Sequence, residues 1–187
     1  MRIGVISRDI ELATTTRFLT AGERRGHSMH PLRLLDCAVR VDTKGPALLL
    51  AGAPSPFLDA FIPRLGAYLP SLALAAARAL IAAGATPLND LEGMAVAFDK
   101  LRTAEALAYA GVPTPRSILA KDFDNLEFAI DAVGGAPVVI KPVTGAQGRG
   151  VMLAESRAAA VAILENLIVT GRDHLVQELV PEALGED

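Results

Sequence analysis

Short unbroken apolar runs alternate with segments of helical spacing along the first half of the chain. Residues 2–7 form one such run, and Gly, Pro and Asp bound two more at residues 47–51 and 60–65, as is usual for strands. The segments of helical spacing are residues 14–25 and 69–83, followed by the helix terminators Gly26 and Gly84. This alternation predicts an α/β fold, in which helices cover a parallel sheet over roughly the first 90 residues.

The pattern changes beyond Leu91, where two strands follow each other without a helix between them. The predicted helices here are residues 99–110 with Asp99 as N-cap and Gly111 as C-cap, a helix that Asp124 and Glu127 begin at capping-box spacing, and a helix from Ser156 to about residue 169. The predicted strands are residues 137–143, 150–154 and 174–180. The first two of these strands, joined by a short glycine-rich loop, predict a hairpin. We place a domain boundary near residues 90–98 and divide the chain into residues 1–95, 96–175 and 176–187.

The composition argues against several classes of protein. With 51% hydrophobic residues among 187, the chain can bury a core, which argues against disorder. The net charge of −3 provides no basic field for nucleic acid. Residues 68–83 are apolar, but Pro70 and Arg78 interrupt them and they fall short of the roughly 20 residues of a bilayer span. We therefore expect a buried helix there, and no membrane partner.

The single cysteine, Cys37, has no partner for an internal disulfide and fits a reducing compartment. Its simplest interpretation is a small buried hydrophobe. Together with the absence of a signal-peptide core at the start of the sequence, it predicts a soluble cytoplasmic protein.

Three glycines, Gly145, Gly148 and Gly150, lie between the two strands of the predicted hairpin. The sequence contains no Gly-Lys-Ser/Thr, which argues against a P-loop, and no glycine follows the first strand, where a dinucleotide-binding fold would need it. A third type of site is a glycine-rich hairpin that folds over phosphates, because backbone N–H groups approach phosphate oxygens closely where no Cβ intervenes. The alternative is an ordinary turn between two strands.

Two lysines favour the phosphate interpretation. Lys141 follows the apolar residues Val138, Val139 and Ile140, and an ammonium in such a strand should be paired or should face a ligand. The alternative is a lysine that reaches solvent from an edge strand. Lys100 follows the predicted N-cap Asp99, where the helix dipole disfavours a cation, and a nearby phosphate would relieve that conflict. A solvated surface lysine explains Lys100 equally well.

Taken together, these segments resemble an ATP-grasp ligase of the RimK type, the group that adds glutamate to a protein C-terminus. The resemblance runs in order through the whole chain. Its matching stretches are SRD at 7–9, IPRLG at 62–66, PLN at 87–89, DKLRT at 99–103, GVPTP at 111–115, VGGAPVVIKPVTGAQGRGVMLAES at 133–156 and VQELVPEALGED at 176–187. The resemblance implies an N-terminal parallel-sheet domain of the pre-ATP-grasp kind followed by the first lobe of an ATP-grasp domain.

The resemblance also implies a role for each matching position. Lys100 and Lys141 match the two lysines that hold the phosphates of ATP. The loop that closes over the triphosphate is matched by Gly145, Gln147, Gly148 and Gly150. The adenine would meet Glu178 and the backbone of Leu179 and Val180, and the nucleotide sugar would meet Asp187. Arg64 lies in a matching stretch and takes a substrate-side role at most.

One departure from the family limits the chemistry that we expect. The family's magnesium ligands, an Asp followed by Glu-x-Asn, lie on a second lobe, and no Glu-x-Asn occurs in these 187 residues. We therefore expect no catalytic residue and no metal ligand here, and we interpret the chain as the N-terminal part of a longer protein, not active alone, rather than as a degenerate product.

The longer protein would be a carboxylate–amine ligase with ATP and Mg²⁺ or Mn²⁺ as cofactors. It would add glutamate to the C-terminus of a ribosomal protein, and the family's tendency to associate predicts a homo-oligomer. Two alternatives stay open. One is a sister ligase that acts on a small-molecule carboxylate or a carrier protein, and the other is a non-catalytic nucleotide-binding or interaction module.

Overall fold

A computed structural model describes residues 1–66 and 70–183 of the chain. The chain divides into two compact units, Met1–Ala95 and Val96–Asp187. Among the described residues, no helix is both long enough and apolar enough to cross a membrane.

The first unit contains a parallel sheet, as predicted. Its strands are β1 (Arg2–Ser7), β2 (Ser28–Arg33), β3 (Cys37–Asp42), β4 (Gly45–Leu50), β5 (Ala53–Pro54), β6 (Ala60–Arg64) and β7 (Thr86–Pro87). Its helices are α1 (Ala13–Glu23) and α2 (Pro70–Ala82), and α3 (Leu91–Ala97) contains the point where the chain divides. The parallel sheet has the order β2-β1-β6-β7, and α1 lies against β1 and β2.

One expectation for this unit was wrong, since the apolar run at residues 47–51 does not belong to the parallel sheet. It forms β4, which pairs antiparallel with β3 and β5 in a separate three-stranded sheet. The connections explain the difference, because parallel neighbours need a crossover of a dozen or more residues, whereas a tight turn joins antiparallel strands. Here Asp42 and Gly45 are opposite each other, and the N–H of Lys44 donates to the Asp42 carboxylate at 2.8 Å.

Cys37, at the start of β3, is buried, as expected for a small hydrophobe. Its Sγ donates a hydrogen bond to the carbonyl of Arg33 at 3.4 Å. Burial, with the nearby Asp36 carboxylate, raises the pKa of the Cys37 thiol to about 11. The residue is therefore an inert structural thiol at neutral pH.

The second unit is built on one antiparallel sheet. Its strands are β8 (Ser117–Ala120), β9 (Val138–Pro142), β10 (Met152–Ala154) and β11 (His174–Glu178), and its helices are α4 (Lys100–Tyr109), α5 (Leu126–Ala132) and α6 (Arg157–Ile168). The order β10-β9-β11-β8 confirms the predicted glycine hairpin as the pair β9–β10. Strand β8 was not predicted.

Of the three predicted helix N-caps in this unit, two are confirmed and one is wrong. Asp99 accepts hydrogen bonds from the N–H groups of Leu101 and Arg102, and Ser156 accepts one from Ala159. Among the described residues the Asp124 carboxylate accepts no capping hydrogen bond. A 3₁₀ turn, Phe123–Asn125, precedes α5, and Asp122 caps that turn by accepting the Asp124 N–H. Gly111, with φ at 72°, lies one residue beyond the C-cap residue of α4, Ala110.

Side chains alternate between the two faces of this sheet. One face joins α5 and α6 in a core of buried apolar residues: Leu126, Ala129, Ile130, Val133, Val138, Ile140, Ala154, Ala160, Leu164 and Val176. Because Lys141 and Gln177 each follow a core residue by one position, both belong to the opposite face. The packing of one face thus determines which side chains the other face presents.

Candidate functional site

Lys141 lies near the middle of the sheet rather than at its edge. Its strand, β9, pairs with β10 on one side and β11 on the other, with Lys141 opposite Leu175. The interpretation of Lys141 as a lysine that reaches solvent from an edge strand is therefore wrong. Its side chain is half-buried, and its Nζ donates to Oε1 of Gln177 at 2.6 Å.

Gln177 is itself held by a third strand. Its Nε2 donates to the hydroxyl of Ser117 at 2.7 Å, and that hydroxyl donates to the carbonyl of Pro115 at 3.0 Å. Ser117 and Gln177 are direct partners in the β8–β11 register. The ammonium on β9 thus ends a chain of hydrogen bonds that crosses the sheet.

Lys100 approaches the glycine loop from the first turn of α4. The helix start is anchored there, because the backbone N–H of Lys100 donates to the carbonyl of Val143 at 2.9 Å, and Asp99 and Thr144 form a β-bridge. The Nζ of Lys100 donates to the carbonyl of Gly145 at 3.0 Å. The side chain of Lys100 is therefore directed to the loop and is not a solvated surface lysine.

Both ammonium groups are destabilised by their surroundings. Burial, followed by the charge of Lys100, lowers the pKa of Lys141 below its usual value. Burial also lowers the pKa of Lys100, while Asp99 opposes that shift. Among residues 1–66 and 70–183, no carboxylate lies within ion-pair distance of either Nζ. Two positive charges that lack a counter-ion in the described structure favour an anion beside them.

The loop between β9 and β10 has an unusual backbone. Gly145, Gly148 and Gly150 have φ values of 140°, 65° and 80°, and Gln147 is one of two described non-glycine residues with positive φ, at 60°. A side chain in this conformation is strained, and such strain is common at ligand-binding sites. Residues 146–150 are exposed, and within the described chain the N–H groups of Gln147, Gly148 and Gly150 have no acceptor. These donors are open to a ligand.

Glu178 ends β11 in a fork with Arg116. The backbone N–H and the Nε of Arg116 donate to the two carboxylate oxygens of Glu178 at 2.9 and 2.6 Å, and the Glu178 N–H donates to the Arg116 carbonyl at 2.9 Å. The backbone hydrogen bond, then the side-chain bond, lowers the pKa of Glu178. A fixed, ionised carboxylate results.

The remaining residues that the resemblance implied have different surroundings. Leu179 and Val180 follow β11 and lie outside regular secondary structure, so their backbone groups do not pair in the sheet. Both residues are half-buried. Asp187 lies outside the described residues. Arg64 belongs to the first unit, where its Nη2 donates to the Thr14 hydroxyl at 2.9 Å.

The structure therefore brings Lys100, Lys141 and the glycine loop together in one unit. Sequence reasoning missed the part that Gln177 and Arg116 play in it. A signal for Gln177 was available, since it is a polar residue that directly follows the apolar pair Leu175 and Val176 in a predicted strand. Arg116 carried no comparable signal, because its partner lies 62 residues away along the chain.

Comparison with known proteins matches both units to one family. Residues 1–94 match the RimK pre-ATP-grasp domain, and residues 97–187 match the RimK-like ATP-grasp domain. A probable alpha-L-glutamate ligase 1 from Hahella chejuensis is 38% identical over the whole chain. The chain spans 62% of the length of that relative.

Solved structures show the same fold. A RimK domain ATP-grasp protein from Sphaerobacter thermophilus aligns with 97% of this chain and 65% of its own, with a TM-score of 0.74 and 24% identity. The ATP-grasp ligase PsnB, solved with a minimal precursor, Mg and ADP, aligns with 95% of this chain and 65% of its own, with a TM-score of 0.59 and 18% identity.

Proposed function

The chain belongs to the RimK family of ATP-grasp proteins, and on that premise we propose that its second unit binds the phosphates of ATP. The observation that carries the proposal is the pair of half-buried ammonium groups of Lys100 and Lys141. Both lie beside a loop whose backbone N–H groups are open. Charge-assisted hydrogen bonds from lysine to phosphate are among the strong ones in proteins.

In this proposal, different residues contact the phosphates, the adenine and the sugar of ATP. Lys141 and Lys100 neutralise phosphate charge, and Gly145, Gln147, Gly148 and Gly150 supply the loop that covers the phosphates. The adenine contacts Glu178 and the backbone at Leu179 and Val180, and Asp187 contacts the sugar. In this arrangement Arg116 holds the Glu178 carboxylate in place for the base.

The longer protein to which such a unit belongs is proposed to be a ligase that joins glutamate to the C-terminus of a ribosomal protein. A carboxylate oxygen attacks the γ-phosphorus of ATP and releases ADP, and an amine nitrogen then attacks the acyl carbon, expels phosphate and loses a proton. The name of the Hahella relative supports the glutamate ligase, and a small molecule or carrier protein is the alternative acceptor.

A divalent metal accompanies ATP in this chemistry. Among residues 1–66 and 70–183, no group of three or more His, Cys, Asp or Glu side chains could hold a metal ion. These residues therefore do not fit a metal centre, and no step of the reaction is assigned to a metal on them. Their contribution is to bind and orient the phosphates.

Nucleotide binding by this 187-residue chain tests the proposal. Calorimetry should show an affinity that falls from ATP to ADP to AMP, because phosphate contacts dominate. Lys141→Met and Lys100→Met should each weaken ATP binding roughly 10- to 100-fold, as the loss of one charged hydrogen bond requires.

Lys44→Met is the matched control, since Lys44 is an exposed lysine in the turn between β3 and β4 of the other unit. It should leave ATP affinity unchanged. Absence of ATP binding by the unaltered chain, or equal affinities in all three variants, would contradict the proposal.

A further inference from the structure

Three polar side chains from three neighbouring strands form a line on the sheet face opposite the helical core. Ser117 on β8 is directly opposite Gln177 on β11. Gln177 is in turn opposite Val139, two positions before Lys141 on β9 and therefore on the same face. All three side chains are half-buried. The line leads from a backbone carbonyl at one end to an ammonium at the other.

The first hydrogen bond determines the direction of the others. The Ser117 hydroxyl donates its only proton to the Pro115 carbonyl, so towards Gln177 it acts as an acceptor. The amide NH₂ of Gln177 must then face Ser117, and the amide oxygen must face Lys141. A reversed amide would place NH₂ against an ammonium, two donors with no acceptor between them. The network therefore specifies an acceptor at the lysine.

A neutral acceptor has a consequence that a carboxylate would not have. It holds the ammonium in one place but does not compensate its charge, and among the described residues the charge that lowers the pKa of Lys141, after burial, is the ammonium of Lys100 on α4. Of the three N–H donors of Lys141, one is used by Gln177. Within residues 1–66 and 70–183, the other two donors have no acceptor, which leaves them and the positive charge for an anion.

We propose that Gln177 and Ser117 are positioning residues, which hold the Lys141 ammonium in the orientation that receives a phosphate. A lysine side chain loses rotamer entropy when it is fixed, and here that loss occurs on folding rather than on binding. This inference rests on the proposed function, since it assumes that Lys141 meets ATP. Ser117 acts on Lys141 only indirectly, through its hydrogen bond with the side-chain amide of Gln177.

The first arm of the test needs no nucleotide. The ¹³Cε and ¹⁵Nζ resonances of Lys141 report its pKa in the free chain. Gln177→Glu should raise that pKa, because it puts a carboxylate where the amide oxygen lies. Gln177→Leu should shift the Lys141 resonances, and Ser117→Ala should shift them less. The double variant, Gln177→Leu with Ser117→Ala, should show the same shift as Gln177→Leu alone. Ser28→Ala on β2, in the first unit, is the control for loss of a hydroxyl.

The second arm is ATP affinity in the same variants. Gln177→Leu should weaken binding roughly three- to tenfold and Ser117→Ala about two- to threefold, with no further loss in the double variant. Gln177→Glu should also weaken binding although it keeps a hydrogen bond, because the phosphate then competes with a carboxylate. A merely structural role would not produce a raised Lys141 pKa in Gln177→Glu together with weaker ATP binding in both Gln177→Glu and Gln177→Leu.

The two arms separate this inference from the proposed function. Unchanged Lys141 resonances in Gln177→Leu, or an effect of Ser117→Ala that persists when residue 177 is Leu, would overturn the positioning role. The resonances could respond as expected although the unaltered chain binds no ATP. That result would overturn the proposed phosphate site, and with it the role of Gln177 and Ser117 in orienting Lys141 towards a phosphate. If Gln177→Leu does not fold, Ser117→Ala and Gln177→Glu still test the positioning role.

Discussion

Gly4, in the middle of β1, is a position where one added methyl group should destabilise the first unit. A Cβ built on Gly4 would lie 2.6 Å from Cδ1 of Leu58, 3.2 Å from Cδ1 of Leu32 and 3.5 Å from Cβ of Phe61. Those three side chains are 2%, 1% and 0% exposed, so none of them has solvent to move into. Gly4→Ala therefore overpacks the core beneath the parallel sheet.

The expected magnitude follows from two opposing effects. Overpacking a well-filled core costs about 1–3 kcal/mol. Replacing Gly by Ala recovers about 0.4–1 kcal/mol, because the unfolded chain loses freedom. At the middle of these ranges, about 2 and about 0.7 kcal/mol, the net loss is about 1.3 kcal/mol, which lowers amide-exchange protection of β1 roughly tenfold.

Gly66 is the matched control. Its φ is outside the left-handed region, and a Cβ there would meet no described heavy atom within 4 Å. Gly66→Ala should leave stability unchanged or raise it by up to about 1 kcal/mol, so the two substitutions differ in sign.

Hydrogen exchange followed by mass spectrometry measures both variants. Protection in β9 of the second unit serves as the internal reference. In a Leu58→Ala background the Cδ1 atom is gone, and Gly4→Ala should cost less there than in the unaltered chain. Equal costs in the two backgrounds, or a Gly4→Ala chain as protected as the unaltered one, would refute the packing argument.

Two further predictions concern titrating groups. Because the folded pKa of Glu178 is depressed, its contribution to stability is present above the ordinary glutamate pKa and is lost as pH falls through the folded value. Arg116→Ala should raise the Glu178 pKa measured by ¹³C NMR, but only in part, because the backbone N–H of residue 116 remains. An unchanged pKa would contradict the hydrogen bonds of the fork. With a pKa of about 11, roughly a thousandth of Cys37 is thiolate at pH 8. A thiol reagent should therefore label Cys37 slowly in the native chain and rapidly in denaturant. Fast labelling of the native chain would show that the Cys37 thiol is not buried.

The position of Lys100 illustrates how a local conflict is resolved at long range. A cation in the first turn of a helix is unfavourable in isolation. In the structure Asp99 caps that turn, and the Lys100 ammonium donates to the Gly145 carbonyl, 45 residues further along the chain. Lys100 thus tethers the loop that it is proposed to share with a phosphate. Nucleotide binding would replace this carbonyl by a charged acceptor.

The sequence by itself determined the features that depend on neighbouring residues. The caps Asp99 and Ser156 and the hairpin around the glycines follow from hydrogen-bonding groups and backbone preferences within a few positions. The resemblance to one family was also contained in short ordered motifs, and the family comparisons confirm it.

Only the tertiary structure decided the pairings that join distant segments. Strand β4 reads like a strand of the parallel sheet, yet its turn to β3 puts it in an antiparallel one. The partner of Lys141 is 36 residues away, and strand register selects it, since a shift by one residue would move Gln177 to the other face. Periodicity states that a residue faces away from the core, whereas the alignment of three strands determines which polar group it meets there.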